Sequence, residues 1–584
     1  MVDGLSSEGA RARLLLHALV VGLLAGAAAI GLRFLATALP RLIWPAANDL
    51  VDAVALAPPL WKVVIPTVGA LLAGLVLTLG ARWTGASQGW DILEAVVLRN
   101  GVLPLRAGLV KSLSSLVTQA SAGAVGREGP IVLLAATVAS RYGQRINVST
   151  HHLRILAGCG IAAGLACAYN APLGAALFAL EIVFGSLALE VFAPLAVASG
   201  TATLLTWAAF GNVPVFEMPS LRMTSLWEIV AFAALGVMGG FVAAALLGAL
   251  RASAALYRRL RLPRPIAMAT AGLVLGVAIL GYPELVGNGR GAIVALFARP
   301  WSLGYVLTLL VLRLIVTPLA VGSGTVGGVF TPTLFLGAML GQGFGTSLRA
   351  LVPGVGLEPG AYALVGMSTL LAGTTHAPLT SAVIVFEMTL DYSAIVPLLV
   401  GSAIASQVAA VLSRESVYTE AIHRKAAAAR DAEQPAVSLR VSDIVRQDQI
   451  TVPATLPLRP LLDALVAARR NHVYLVDAEG RFAGAVNFHD VVGAMQALGD
   501  PGTMTAQDLA HTHFPAARLD EPIAEVLSRF DAIAAERLPV LDGGDTRKLI
   551  GTISKRDILT AYSVRLLNRP SSPAPRPDRP SDAA

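Results

Sequence analysis

Asn170-Ala171-Pro172-Leu173 is followed by Glu181, and His376-Ala377-Pro378-Leu379 by Glu387. In both cases the acid lies eleven positions after the first residue. Each unit also follows a glycine-rich loop that ends in proline. In the first half this is Gly126-Arg127-Glu128-Gly129-Pro130, and in the second it is Gly327-Gly328-Val329-Phe330-Thr331-Pro332. Two matches in the same order leave chance a minor reading, so the chain contains an internal repeat. Matching interrupted helices in two halves of a membrane chain point to a binding site at the repeat interface, often with inverted topology.

The surroundings of the repeat are strongly apolar. Of 584 residues 55% are hydrophobic and 14% charged, with a mean hydropathy of +0.67, against about 25% charged in a soluble domain. Apolar segments succeed one another from residue 12 to 430, among them Trp61–Gly80, Leu153–Phe184, Ile229–Leu250, Tyr305–Val321 and Tyr362–Leu390. Several are too short or too broken by Gly and Pro for a simple span of about 20 residues. Broken helices persist at membrane depth only where they are buried in protein or line a polar cavity. Arg11 and Arg13 precede the apolar run Leu14–Leu32. With so many apolar segments to follow, that run reads as a first membrane helix rather than a cleaved signal. The charge of +7 suits basic cytoplasmic loops, and no basic tract with interleaved aromatics speaks for nucleic acid. Cys159 and Cys167 are too few for a disulfide framework and read as small buried residues. The nine histidines form no metal-ligand cluster.

Glu128 is the costly residue. A carboxylate at membrane depth costs about 2.5–3.5 kcal/mol at a helix centre and is a functional candidate by default. It lies between two glycines and just before Pro130, where the backbone must be irregular and about to start a helix. Helix N-termini attract anions through free N–H groups and a positive dipole end. Two further candidate N-termini are Gly85-Ala86-Ser87-Gln88-Gly89 and Gly322–Pro332, whose glycines allow close approach of the backbone to an ion.

These motifs resemble those of the CLC family of chloride channels and proton/chloride exchangers. Gly126–Pro130 is similar to the family's gating motif, and Gly328–Pro332 to its third anion motif. Ser87 stands 41 residues before Glu128, like the family's anion-binding serine, and Tyr418 matches the tyrosine at the end of the last membrane helix. The resemblance implies an all-α polytopic membrane domain with an inverted repeat of broken helices. It implies that the Ser87 and Tyr418 hydroxyls hold a central chloride with the backbone N–H groups of Val329 and Phe330. Gly126 and Arg127 would join the anion path, with Glu128 as a gate that swings out or protonates. It further implies a homodimer in a lipid bilayer, one pathway per subunit, both termini cytoplasmic, in a bacterial inner membrane.

Each residue also has a plainer reading. Ser87 alone would be a helix cap and Tyr418 an interfacial aromatic. Glu181 and Glu387 read as structural acids bonded to neighbouring helix ends. Lys111 adds positive potential to the pathway or snorkels. Two departures from the family stand out. Ala86-Ser87-Gln88-Gly89-Trp90 replaces the usual Gly-Ser-Gly-Ile-Pro; the serine favours chloride over nitrate, while the altered neighbours leave selectivity open. Ile182 stands where family exchangers usually carry an internal proton-handling glutamate. This favours a passive chloride channel; the alternative is a proton/chloride antiporter with a non-standard internal route. A CBS-regulated intramembrane enzyme is a distant third, since no His-Glu-x-x-His occurs, and a cation transporter conflicts with the anion-favouring helix ends.

The composition changes near residue 430. Residues 1–430 form the transport domain and 431–437 a linker. Two α+β units, 438–498 and 503–565, resemble a tandem CBS pair, and 566–584 is a Pro- and Ser-rich tail. Each unit reads as strand, polar turn, strand and helix start, around His472–Asp477 and Gly484–Asp490 in the first and Leu538–Asp542 and Gly551–Asp557 in the second. Ser554 and Asp557 fit the CBS nucleotide signature, for a ligand such as ATP, ADP or AMP; Asn487 replaces the hydroxyl in the first unit. The competing reading is a structural dimerisation module. No cofactor is required for transport itself.

Overall fold

The computed structural model describes residues 2–44, 49–84, 92–97, 100–185, 188–216, 227–298, 301–352, 359–420, 440–447, 449–468, 472–498, 504–532, 537–542, 547–554 and 557–558. The chain divides into two units, Met1–Lys425 and Ala426–Ala584.

The first unit is helical. Among the described residues seven helices are long and apolar enough to cross a membrane: Ala12–Ile43, Pro59–Thr84, Thr150–Tyr169, Glu190–Phe210, Trp227–Leu260, Leu303–Gly322 and Tyr392–Leu412. Thr150–Tyr169 differs from the rest, with 89% of its apolar window buried inside the protein. It packs against helix Glu128–Arg145. A β-carbon on Gly160 would come within 2.8 Å of Ala136 Cα, and one on Gly164 within 2.9 Å of Val132 Cα. The second half repeats this contact between helices Phe330–Leu351 and Pro359–Thr375. There a β-carbon on Gly337 would come within 2.7 Å of Met367 Cα, and one on Gly366 within 3.0 Å of Gly341 Cα. Lipid removes the hydrophobic drive between helices, so close backbone approach through small residues supplies the attraction instead.

The repeat read from the sequence is also a repeat of backbone. Asn170 and His376 are left-handed at φ 56° and 57°. Ala171 and Ala377 follow at φ −126°, ψ 78° and φ −125°, ψ 78°. A proline then opens helix Pro172–Phe178 in one half and helix Pro378–Thr389 in the other, at a position where its missing N–H costs nothing. The two helices run antiparallel, and each repeat's acid caps the other's helix. Glu181 Oε2 accepts from Thr380 N at 2.9 Å and Thr380 Oγ1 at 2.6 Å. The Glu387 carboxylate accepts from Leu173 N at 3.0 Å and Gly174 N at 2.7 Å. The structural reading of both acids therefore holds. One asymmetry breaks the repeat: Ala179–Phe184, which contains Glu181 and Ile182, is a π-helical turn.

The second unit holds two three-stranded sheets, β1 (Thr451–Pro453), β2 (His472–Val476) and β3 (Phe482–Asn487), then β4 (Ala517–Arg518), β5 (Arg537–Leu541) and β6 (Leu549–Ser554). In each, the first pair is parallel and the second antiparallel. The halves exchange arms. Val441, N-terminal to the first sheet, is buried in the core of the second, with Val441 N donating to Glu521 O at 3.1 Å. Ala506 is buried in the core of the first, with Ala506 N donating to Leu456 O at 2.8 Å. The sequence assigned the segment around Val441 to the first unit; it packs in the second because an isolated three-stranded sheet leaves one face uncovered. The 431–437 linker and the 566–584 tail lie outside the described residues.

Candidate anion site

The two glycine-rich loops meet as a short antiparallel bridge. Gly126 N donates to Gly328 O at 2.6 Å and Gly328 N to Gly126 O at 2.8 Å. This pairing brings together the starts of the Glu128 and Phe330 helices from opposite halves. The first N–H groups of a helix have no partner within it. Glu128 supplies one: its Oε1 accepts from Thr331 N at 3.1 Å and its Oε2 from Thr331 Oγ1 at 3.0 Å. The carboxylate thus sits at the N-terminus of the opposite helix, only 3% exposed. A β-carbon on either Gly126 or Gly328 would overlap it, so both glycines are needed for the side chain to fold back. Val329 is the N-cap of the Phe330 helix and Phe330 its first residue. The place Glu128 fills is one that a helix end and two aimed donors make favourable to negative charge.

Aromatic rings continue the site. Phe330 is buried, with Tyr169 stacked at 4.7 Å between centroids and Phe178 at 6.4 Å; Tyr418 meets Phe178 edge-on at 5.4 Å. Val329, Phe330, Tyr418, Gly126 and Glu128 are therefore brought to one neighbourhood, while Ser87 lies outside the described residues. Sequence reasoning missed Tyr169 and Phe178. The Tyr169 hydroxyl lies 2.7 Å from Thr331 Oγ1, a contact between residues 162 positions apart that no local pattern announces.

Charge surrounds the meeting point. Arg127 lines a cavity of about 670 Å³ together with Arg41, Arg290 and Asp49. Lys111 lines a second cavity of about 230 Å³ with Gly129, Pro130, Arg264 and residues 324–327. Arg313 was also missed. It is fully buried, donating to Leu285 O at 2.6 Å and Gly287 O at 2.8 Å, with its guanidinium 5.1 Å from the Phe335 ring centre. A signal existed: it is the one charged residue in the apolar helix Leu303–Gly322, and such residues are rare and functional. Ile182 is half-buried and packed on the main apolar cluster.

A sequence model described as voltage gated chloride channel matches residues 68–410. The chain belongs to the CLC family. Two CBS domains match residues 441–497 and 506–564 of this CLC protein. It is 40% identical over 412 residues to a putative chloride channel protein ClcB-like of Ralstonia nicotianae, covering 69% of this chain and 96% of the relative. It is 34% identical over 415 residues to the voltage-gated ClC-type chloride channel ClcB of Escherichia coli, covering 70% and 98%. Among solved structures, a slow cyanobacterial Cl−/H+ antiporter superposes with a TM-score of 0.63 at 26% identity, covering 71% of this chain and 98% of that one. A eukaryotic CLC transporter superposes with a TM-score of 0.61 at 19% identity, covering 93% and 98%; at that identity the likeness shows the fold alone.

In the CBS pair, Ser554 and Asp557 lie at the end of β6. Asp557 N donates to Ser554 Oγ at 3.0 Å and Ser554 Oγ to Asp557 Oδ2 at 2.5 Å. Arg446 Nη2, from the exchanged arm, pairs with Asp557 Oδ1 at 2.7 Å. Arg537 Nη1 donates to Thr552 Oγ1 at 2.7 Å, and its Nη2 stands 4.0 Å from Asp557 Oδ2. The first domain mirrors this: His511, bridged to Ala485 as Arg446 is to Thr552, places its Nε2 2.8 Å from Asp490 Oδ2. In each domain, then, a basic residue of the other's arm meets the acid three positions after Asn487 or Ser554, and only Asp557 is buried.

Proposed function

We propose that this CLC protein is a passive chloride channel gated by Glu128, with Ser87, Gly126, Arg127, Val329, Phe330 and Tyr418 lining the anion path. The observation that carries the gate is the Glu128 carboxylate seated on Thr331 N and Oγ1. A carboxylate and a chloride compete for the same donors, so displacing one admits the other. Passive conduction is favoured by Ile182, an apolar side chain that holds no proton, and by the channel names of the relatives. The antiporter reading draws support from the cyanobacterial antiporter among the structural neighbours and from the hydroxyls that reach Glu128 through Thr331. Reversal potentials in liposomes under opposed chloride and proton gradients separate the two. A potential set by chloride alone supports the channel; a shift with the proton gradient makes the protein an exchanger; no chloride current overturns both.

The same reading places the protein in a bacterial inner membrane as a homodimer with cytoplasmic termini. At the CBS pair we propose adenine-nucleotide binding, with the Ser554 hydroxyl and Arg537 toward phosphate and Asp557 toward ribose. Calorimetry of the full chain with ATP, ADP and AMP tests this, and absence of heat with all of them removes it.

A further inference from the structure

We propose that the Thr331 hydroxyl is a direct ligand of the transported anion, shared in turn by the Glu128 carboxylate and by chloride, and that Tyr169 is its positioning residue. The inference rests on the reading of Glu128 as the gate of a chloride pathway.

Donor counting sets the direction of this chain. An ionised carboxylate only accepts, and a threonine hydroxyl has one proton to give. That proton goes from Thr331 Oγ1 to Glu128 Oε2 at 3.0 Å. The Tyr169 hydroxyl, 2.7 Å from Thr331 Oγ1, must then donate to Thr331. Tyr169 and Thr331 are both buried, and the Tyr169 ring is clamped against Phe330. The chain Tyr169 to Thr331 to Glu128 therefore points every donor toward one position.

Thr331 behaves unlike the helical threonines around it. A buried helical threonine ordinarily turns its hydroxyl back onto the carbonyl one turn earlier. Thr137, Thr203, Thr206 and Thr333 do so, onto Leu133, Ser199, Ala202 and Val329, at 2.7 to 2.9 Å. Thr331 sits in the first turn of its helix, and its proton faces the gate instead. When the carboxylate leaves, the same O–H and the Thr331 N–H face whatever anion replaces it. The chemistry that fits is a small monovalent anion accepting one hydroxyl and one amide donor.

The test uses full-length protein in which Glu128→Ala has vacated the position, with chloride binding followed by calorimetry. Adding Thr331→Val lowers chloride affinity by about tenfold or more, the loss of one hydrogen bond to an anion, and Thr331→Ser restores most of it. Tyr169→Phe lowers affinity by about threefold in the presence of Thr331 and has no further effect in the Thr331→Val background, since coupled residues are not additive. Chloride affinity within about twofold of the parent after Thr331→Val overturns the ligand role. An equal cost of Tyr169→Phe in both backgrounds overturns the positioning role. A Glu128→Ala parent that neither binds nor passes chloride overturns the chloride-pathway reading itself, and is told apart because it fails before Thr331 is altered.

Discussion

Replacing Glu128 by glutamine changes charge with little change in shape. The carboxylate now accepts two bonds from Thr331, at 3.1 and 3.0 Å. A hydrogen bond to a charged group is worth about 1.5–3 kcal/mol and a neutral one about 0.5–1.5 kcal/mol. Glutamine keeps both contacts only as neutral bonds, its oxygen accepting from Thr331 N and its NH2 donating to Thr331 Oγ1, so both bonds are weakened. The seated side chain then loses about 2–3 kcal/mol against its displaced state, or about one and a half to two decades in their ratio. The attraction of the helix end for negative charge is lost as well. Chloride efflux from liposomes carrying a potassium ionophore, followed with a chloride electrode, reads the consequence. Wild-type efflux is faster in acidic than in neutral medium, because a protonated carboxyl no longer competes as an anion. Glu128→Gln gives efflux that is flat between the two and at least as fast as wild type at its acid limit. A glutamine variant that keeps the wild-type pH slope, or is slower at every pH, refutes the assignment of Glu128 as the competing anion.

Glu387→Ala leaves Leu173 N and Gly174 N without their acceptor and costs about 3 kcal/mol, seen as a drop of several degrees in the temperature at which the detergent-solubilised protein leaves its size-exclusion peak; an unchanged midpoint contradicts the cap. The backbone N–H of Arg481, opposed by desolvation and helped by the Arg481 side chain, holds Asp477 below the usual carboxylate range. Its folded value lies below its unfolded one, so this support is present above the ordinary Asp range and is lost as pH falls through the lowered value. Asp477→Asn therefore speeds amide exchange at Glu479–Arg481 at neutral pH, and its difference from wild type shrinks as pH falls through the lowered value. Arg446→Ala uncovers Asp557 and tightens ATP binding in calorimetry by about threefold or more; weaker binding instead makes Arg446 a phosphate contact.

The repeat was legible because both of its halves keep their letters. Asn-Ala-Pro-Leu and His-Ala-Pro-Leu fold with matching dihedrals, and the glycine loops ahead of them meet at Gly126 and Gly328. Fold class and family followed from the same motifs. What stayed hidden depends on contacts across the chain. In Leu153–Phe184 the break ahead of Pro172 could be read, but the unwinding to a π turn at Ala179 could not, since packing, not propensity, decides that departure. Tyr169 looks like the last residue of a helix and acts through a partner in the other half. The exchange of arms in the CBS pair was invisible for the same reason: Val441 suits the core of either sheet, and only tertiary packing chooses.

The crossed caps of the repeat set a clock. Glu181 waits for a partner 199 positions later, and at about 5–20 residues per second of synthesis that partner is about 10–40 s away. Leu173 and Gly174 wait still longer, for Glu387. Through that interval the first half holds an acid and a bare helix end with nothing of its own to join them. A ribosome stalled between the halves would leave a nascent chain whose first half holds its shape only by borrowing water, lipid headgroups or a chaperone.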